Sequence, residues 1–254
     1  MMDVISGGRV ICGFVRGIGP EYHNFTMNPA VGLERFREAH DLIIKAWTEP
    51  GPFRWEGRHY PLEHVNPWPR PLQQPHPPIW VPSQGSGETI EWAAERHYTF
   101  VVTFTPHRNV VRYMEQYREQ ARGFGYEAPP EQMGWAVPIY VGETDESALA
   151  EAAPHAEYLF NKLLKRPLSV FFPPGYLSEQ SAKGVLRAFG SIGVSRTTAE
   201  QLNEEGQMVI GSSESVLRRL KEYVDLSGIG TLVVLLQFGS MPHEQAMANM
   251  DRFA

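Results

Sequence analysis

Hydrophobic positions along the chain fall into short runs separated by amphipathic stretches. The runs are Arg9–Val15 (RVICGFV), Ile79–Val81, Tyr98–Phe104 (YTFVVTF), Trp135–Val141 and Thr231–Gln237 (TLVVLLQ). Several carry apolar residues without polar alternation, the pattern of strands covered on both faces of a parallel sheet. Between the runs, apolar positions recur at helical spacing. Leu33, Phe36, Leu42, Ile43 and Trp47 share one face of Gly32–Thr48, and Val110, Met114, Tyr117 and Ala121 share one face of Asn109–Arg122. Further helices are expected from Ser86 or Glu88 to Arg96, beyond Thr144 as N-cap, from Ser212 or Ser213 to Val224, and over His243–Phe253. The proline-rich stretch Gly51–Pro78 reads as an irregular connection, and 166–207 as an insertion or lid region with weak periodicity. Strand alternating with helix predicts an α/β fold of the TIM-barrel type in one domain over 1–254. Only about five strand–helix units are visible, against the eight of a closed barrel.

Composition narrows the function. The net charge is −6 and no basic block occurs, which argues against nucleic acid and anionic membrane surfaces as partners. No apolar stretch reaches the roughly 18 residues of a membrane span. The start, MMDVISGGRV, lacks the charged and apolar regions of a signal peptide. The single cysteine, Cys12, excludes an internal disulfide and fits a reducing compartment, so a cytoplasmic location is expected, with Cys12 as a small core residue. The histidines lack metal-ligand spacing, and no metal site is expected.

Two stretches carry candidate chemistry. In SQGSGETIEWAAER, residues 83–96, Gly85 and Gly87 leave the backbone bare at a helix start, and the hydroxyls of Ser86 and Thr89 are three residues apart. Orphan N–H groups and the helix dipole there suit an anion. Glu88 brings an opposing charge, and on local features alone plain capping of the helix is the favoured reading over phosphate binding. In RVICGFVRG, alternation places Val10, Cys12, Phe14 and Arg16 on one side, with Arg16 at the C-terminal end of the strand. Ligands of parallel α/β folds bind at such ends, and a forked guanidinium suits phosphate. A surface ion pair is the bland alternative.

The stretches SGGRVICGFVRG, SGETIEWAAERHYTFVVTF and GSSESVLRRLKEYVDLSGIGTLVV with FGSMPHEQAMANMDRFA resemble the bacterial luciferase-like flavin monooxygenases, over nearly the whole chain and in the same order. The resemblance implies a luciferase-like barrel in which Arg16, Ser86 and Thr89, with the backbone of Gly85 and Gly87, hold the phosphate of reduced FMN. It implies monooxygenation of a small organic substrate with O2, the reduced flavin coming from a separate flavin reductase. Two alternatives accompany it: hydride transfer with the deazaflavin F420, and a non-catalytic flavin-binding fragment. In the resemblance MMDVISGGR matches the end of the helix before the fourth strand, so the first three units of the family pattern are expected to be missing. They carry a catalytic histidine that none of the nine histidines here matches, which leaves the catalytic residues unknown. Weaker expectations place Tyr22 and His23, in the Glu21-Tyr22-His23 loop after the first strand, at the substrate. Phe171, Phe172 and Tyr176 of VFFPPGY are expected in a lid that excludes water. An incomplete barrel makes Arg9–Val15 and Thr231–Gln237 apolar edges, and self-association through them is expected.

Overall fold

The computed structural model describes residues 1–177 and 196–254. Its elements begin with α1 (Met2–Ile5), β1 (Cys12–Gly13), α2 (Gly19–Asn24), α3 (Gly32–Thr48), β2 (Phe53–Glu56), β3 (Pro61–Val65), β4 (Ile79–Ser83) and α4 (Gly87–Glu95). They continue with β5 (Thr99–Thr103), α5 (His107–Gly123), β6 (Met133–Gly142), α6 (Asp145–Tyr158) and α7 (Leu168–Phe171). The last are α8 (Ala199–Glu204), β7 (Val209–Ser212), α9 (Ser213–Ser227), β8 (Thr231–Leu235) and α10 (His243–Phe253). The chain divides into two compact units, Met1–Val81 with Arg166–Gly184, and Pro82–Lys165 with Val185–Ala254.

In the first unit β1 pairs in parallel with β4, Cys12 opposite Ile79 and Gly13 opposite Trp80. The run expected over Arg9–Val15 contributes only these two residues to a strand. Its neighbour explains this: Pro77 and Pro78 have no N–H to extend the ladder, though the Pro78 carbonyl accepts from Cys12 N at 2.8 Å. The expected alternation survives, with Val10, Cys12, Phe14 and Arg16 half-buried and Arg9, Ile11, Gly13 and Val15 exposed. Cys12 is therefore only partly covered, less than its expected core placement. The proline-rich stretch contains an unforeseen antiparallel hairpin, β2 with β3. Phe53 and Trp55 turn inward while Arg54 and Glu56 face out. Glu38 of α3 pins the hairpin turn, accepting from His59 N and Tyr60 N at 2.9 Å each. A Cβ on Gly57 would stand 1.8 Å from the Glu38 carboxylate, so only glycine fits that turn. Asp3, buried in α1, ties down the following segment by accepting from Leu72 N at 2.7 Å and Gln73 N at 2.9 Å. Those backbone bonds, Gln73 first, hold its carboxyl below the usual range although burial opposes them.

In the second unit β6 is buried along all ten residues. Gly134, Trp135 and Ala136 pair with β5 on one edge and with β8 on the other, both in parallel. Ile139–Gly142 pair in parallel with β7, which the sequence reading did not foresee. The five expected strands are all present, and β7 makes six parallel strands among the described residues. α6 starts at a capping box in which Thr144 accepts from Ser147 N. Ala148, Ala152 and Ala156 give it a flat inner face against Tyr140, Leu202, Met208 and Phe238. That face lies so close to the strand that a Cβ on Gly142 would be 2.7 Å from Ala148. Ser212 caps α9, and Gly228 ends it in the left-handed conformation, φ +64°. Among the described residues no helix is long and apolar enough to cross a membrane.

Candidate functional site

The turn after β4 leaves the Ser86 and Thr89 hydroxyls without protein partners among the described residues. Gly85 has φ +95°, and a Cβ there would lie 2.1 Å from the Tyr113 ring, so conformation and space both require glycine. Gly85 N donates to Ser83 Oγ at 3.1 Å. Ser86 is the N-cap of α4 through its backbone: its carbonyl accepts from Thr89 N and Ile90 N at 3.0 Å each. Its side chain makes no capping bond. Ser86 and Gly87 are exposed and Thr89 is half-buried. Among the described residues neither hydroxyl takes up a protein partner, in contrast with Thr144, Thr198 and Ser212, whose hydroxyls all cap their helices. The N–H groups of Gly87 and Glu88 lie in the first turn, where no helical acceptor exists. Two hydroxyls and two N–H groups at a positive helix end make a set of donors of the kind that suits an anion.

Arg16 lies in the first unit, among residues that the sequence placed in separate features. Its Nη2 donates to the Tyr176 carbonyl at 3.1 Å, and its guanidinium carbon stands 3.9 Å from the centre of the Tyr176 ring. Tyr176 Oη donates to the Gly17 carbonyl at 2.6 Å. Tyr22 Oη donates to the Arg16 carbonyl at 3.3 Å, and the Tyr22 and Tyr176 rings meet edge-on at 5.4 Å. Phe172 packs on Tyr176 at 6.0 Å and Phe171 on Phe172 at 6.2 Å. The Arg16, Tyr22, Phe172 and Tyr176 side chains thus form one cluster. Tyr22 is 3% exposed and sits on α2, which corrects the loop expected at 21–23. Burial pushes its hydroxyl up, against the pull of Arg16. A Cβ on Gly32 would stand 2.2 Å from the Tyr22 hydroxyl, which fixes the contact between α2 and α3. His23, on the same short helix, is exposed.

The sequence profile of luciferase-like monooxygenases matches residues 1–228. The chain belongs to the luciferase-like monooxygenase family. Its fold is similar to that of the monooxygenase RslO1 from Streptomyces bottropensis, with a TM-score of 0.71 at 21% identity, covering 100% of this chain and 69% of that one. It is also similar to the oxygenating constituent of 3,6-diketocamphane monooxygenase from Pseudomonas putida, a type II Baeyer–Villiger monooxygenase in complex with FMN. There the TM-score is 0.64 at 21% identity, over 92% of this chain and 66% of the other. A third likeness is to the coenzyme F420-dependent tetrahydromethanopterin reductase from Methanopyrus kandleri, TM-score 0.63 at 16% identity, over 96% and 73%. The chain thus spans about two thirds of the length of these relatives, and its α/β fold is of the TIM-barrel, luciferase-like class.

The interior histidines of this luciferase-like monooxygenase chain are engaged with protein groups. His40 Nδ1 lies 2.9 Å from Asp41. His107 stacks on Tyr223 at 3.9 Å and donates through Nε2 to the Tyr223 carbonyl. His155 is held between Ser240 and Gln245. Among the described residues no group of three or more His, Cys, Asp or Glu is placed to hold a metal ion. Two features escaped sequence reading. Tyr113, one helix beyond the turn, is the surface against which Gly85 is shaped. Tyr176 meets Arg16 across 160 residues, and no local pattern signals that pairing.

Proposed function

We propose that the 85–89 turn holds the phosphate of reduced FMN and that the chain serves flavin-dependent monooxygenation of a small organic substrate. One observation carries the reading: at a helix start in a chain of the luciferase-like monooxygenase family, among the described residues both hydroxyls are left without protein partners and the first-turn N–H groups of Gly87 and Glu88 have no helical acceptor. Ser86 and Thr89 would donate through Oγ and Oγ1, and Gly87 and Glu88 through N–H. For Arg16 an anion-binding role is proposed from the family resemblance, and among the described residues it forms no ion pair. Reduced FMN, supplied by a flavin reductase, would provide the two electrons by which one atom of O2 enters the substrate and the other leaves as water. Phe171 and Phe172 give the first unit an apolar surface suited to excluding water from a bound substrate.

The fold likeness to an F420-dependent reductase supports a second reading, hydride transfer to or from a deazaflavin without O2. Oxygen uptake with reduced FMN, set beside loss of F420 absorbance with the same candidate substrates, separates the two. The anchor itself is tested by Thr89→Val, which keeps the shape and removes the hydroxyl. A phosphate ligand loses about 1 kcal/mol of FMN affinity while melting without flavin stays put. A pure cap would give the reverse, a lower melting temperature and unchanged affinity.

A further inference from the structure

We infer that Tyr176 is the positioning residue of Arg16, an inference that rests on the reading of Arg16 as a phosphate donor. Arg16 is half-buried, yet among the described residues it forms no ion pair. Within the first unit Arg54 pairs with Glu56 and Glu63 and Arg58 with Glu34, whereas Arg70, like Arg16, donates to a backbone carbonyl, that of Trp47. What holds Arg16 is neutral. The Tyr176 carbonyl takes one of its five N–H donors, the Tyr176 ring covers one face of the guanidinium, and the Tyr176 hydroxyl fastens the next residue by bonding to Gly17 O. Such a holder fixes the long side chain without consuming its charge, and four donors remain for an anion.

Tyr176 is itself fixed. Gly175, at φ +84°, packs so closely on Ala30 that a Cβ would stand 2.9 Å from the alanine methyl. A Cβ on Gly19 would stand 1.7 Å from the Val170 carbonyl, so the 168–176 segment docks on α2 only because glycine is there. Tyr22 supports the assembly from below, bonding Arg16 O while meeting the Tyr176 ring. Tyr176 therefore acts through Arg16 rather than on the substrate, which departs from the lid contact expected from the sequence. Ordering an arginine before the anion arrives removes part of the entropy cost of binding, so loss of Tyr176 lowers affinity specifically for the phosphate.

The test is the ratio of riboflavin to FMN dissociation constants, read by flavin fluorescence, in wild type, Arg16→Ala, Tyr176→Leu, Tyr176→Phe and the double variant Arg16→Ala/Tyr176→Leu. Circular dichroism of each variant confirms folding. The expected result is a fall in the ratio of about fivefold for Tyr176→Leu, near wild-type behaviour for Tyr176→Phe, which keeps ring and carbonyl, and no further fall in the double variant beyond Arg16→Ala. An unchanged ratio in Tyr176→Leu, or effects that multiply in the double variant, overturns the inference while leaving Arg16 a phosphate ligand. No change in Arg16→Ala overturns both.

Discussion

Gly85 combines a backbone angle of +95° with a tyrosine ring 2.1 Å from where a side chain would begin. Gly85→Ala is expected to cost about 1–3 kcal/mol of stability in a thermal melt, because strain and a clash with Tyr113 act together. His107 supplies a pH effect. Burial holds its imidazole below the ordinary value of 6.5, although the Tyr223 carbonyl pulls the other way. The unfolded chain then takes up the proton first as pH falls, so the native advantage is intact above about pH 6.5 and shrinks as pH drops toward the folded value. His107→Gln is expected to flatten the decline in melting temperature between about pH 7.5 and pH 5.5. The carboxyls held low by hydrogen bonds, Asp145 by Ser212 above all, act at more acid pH and leave that window clear. The glycine–serine turn was legible in the sequence as a donor-rich helix start. Whether its hydroxyls cap or stay free was not, since that depends on rotamers and on Tyr113 from a distant helix. The same limit hid Tyr22, whose burial comes from Gly32 and Tyr176.

Helices were more legible than strands. Gly32–Thr48 and His243–Phe253 match their expected bounds, because an apolar stripe repeats its signal over several turns. β7 and the β2–β3 hairpin went unseen. Four residues such as Val209–Ser212 carry too little pattern, and prolines at 52 and 61 masked the alternation of Phe53 and Trp55. Two contacts make testable claims about elements. Thr144→Ala removes the cap of α6 and is expected to cost about 1 kcal/mol by denaturant unfolding. Asn249, 0% exposed, accepts from Val141 N at 2.8 Å and donates to the carbonyls of Ile139 and Leu236. Asn249→Leu strands those groups, and a loss of about 2–3 kcal/mol is expected by the same measurement.

At the scale of the molecule, among the described residues β1 pairs only with β4 and β8 only with β6, so each keeps an unpaired edge. Ile11 and Val15 beside β1 are half or more exposed, and the β8 run carries neither charge nor proline. Light scattering of the purified chain is expected to show concentration-dependent self-association, and a monodisperse monomer would contradict that expectation. The central claim is smaller in space: a helix start with free donors takes a phosphate. Titration of wild-type protein with FMN and with riboflavin, which differ by that group alone, tests it most directly. FMN bound at least tenfold more tightly, by an advantage that shrinks with added inorganic phosphate, is the predicted result. Equal dissociation constants for the two flavins would contradict it.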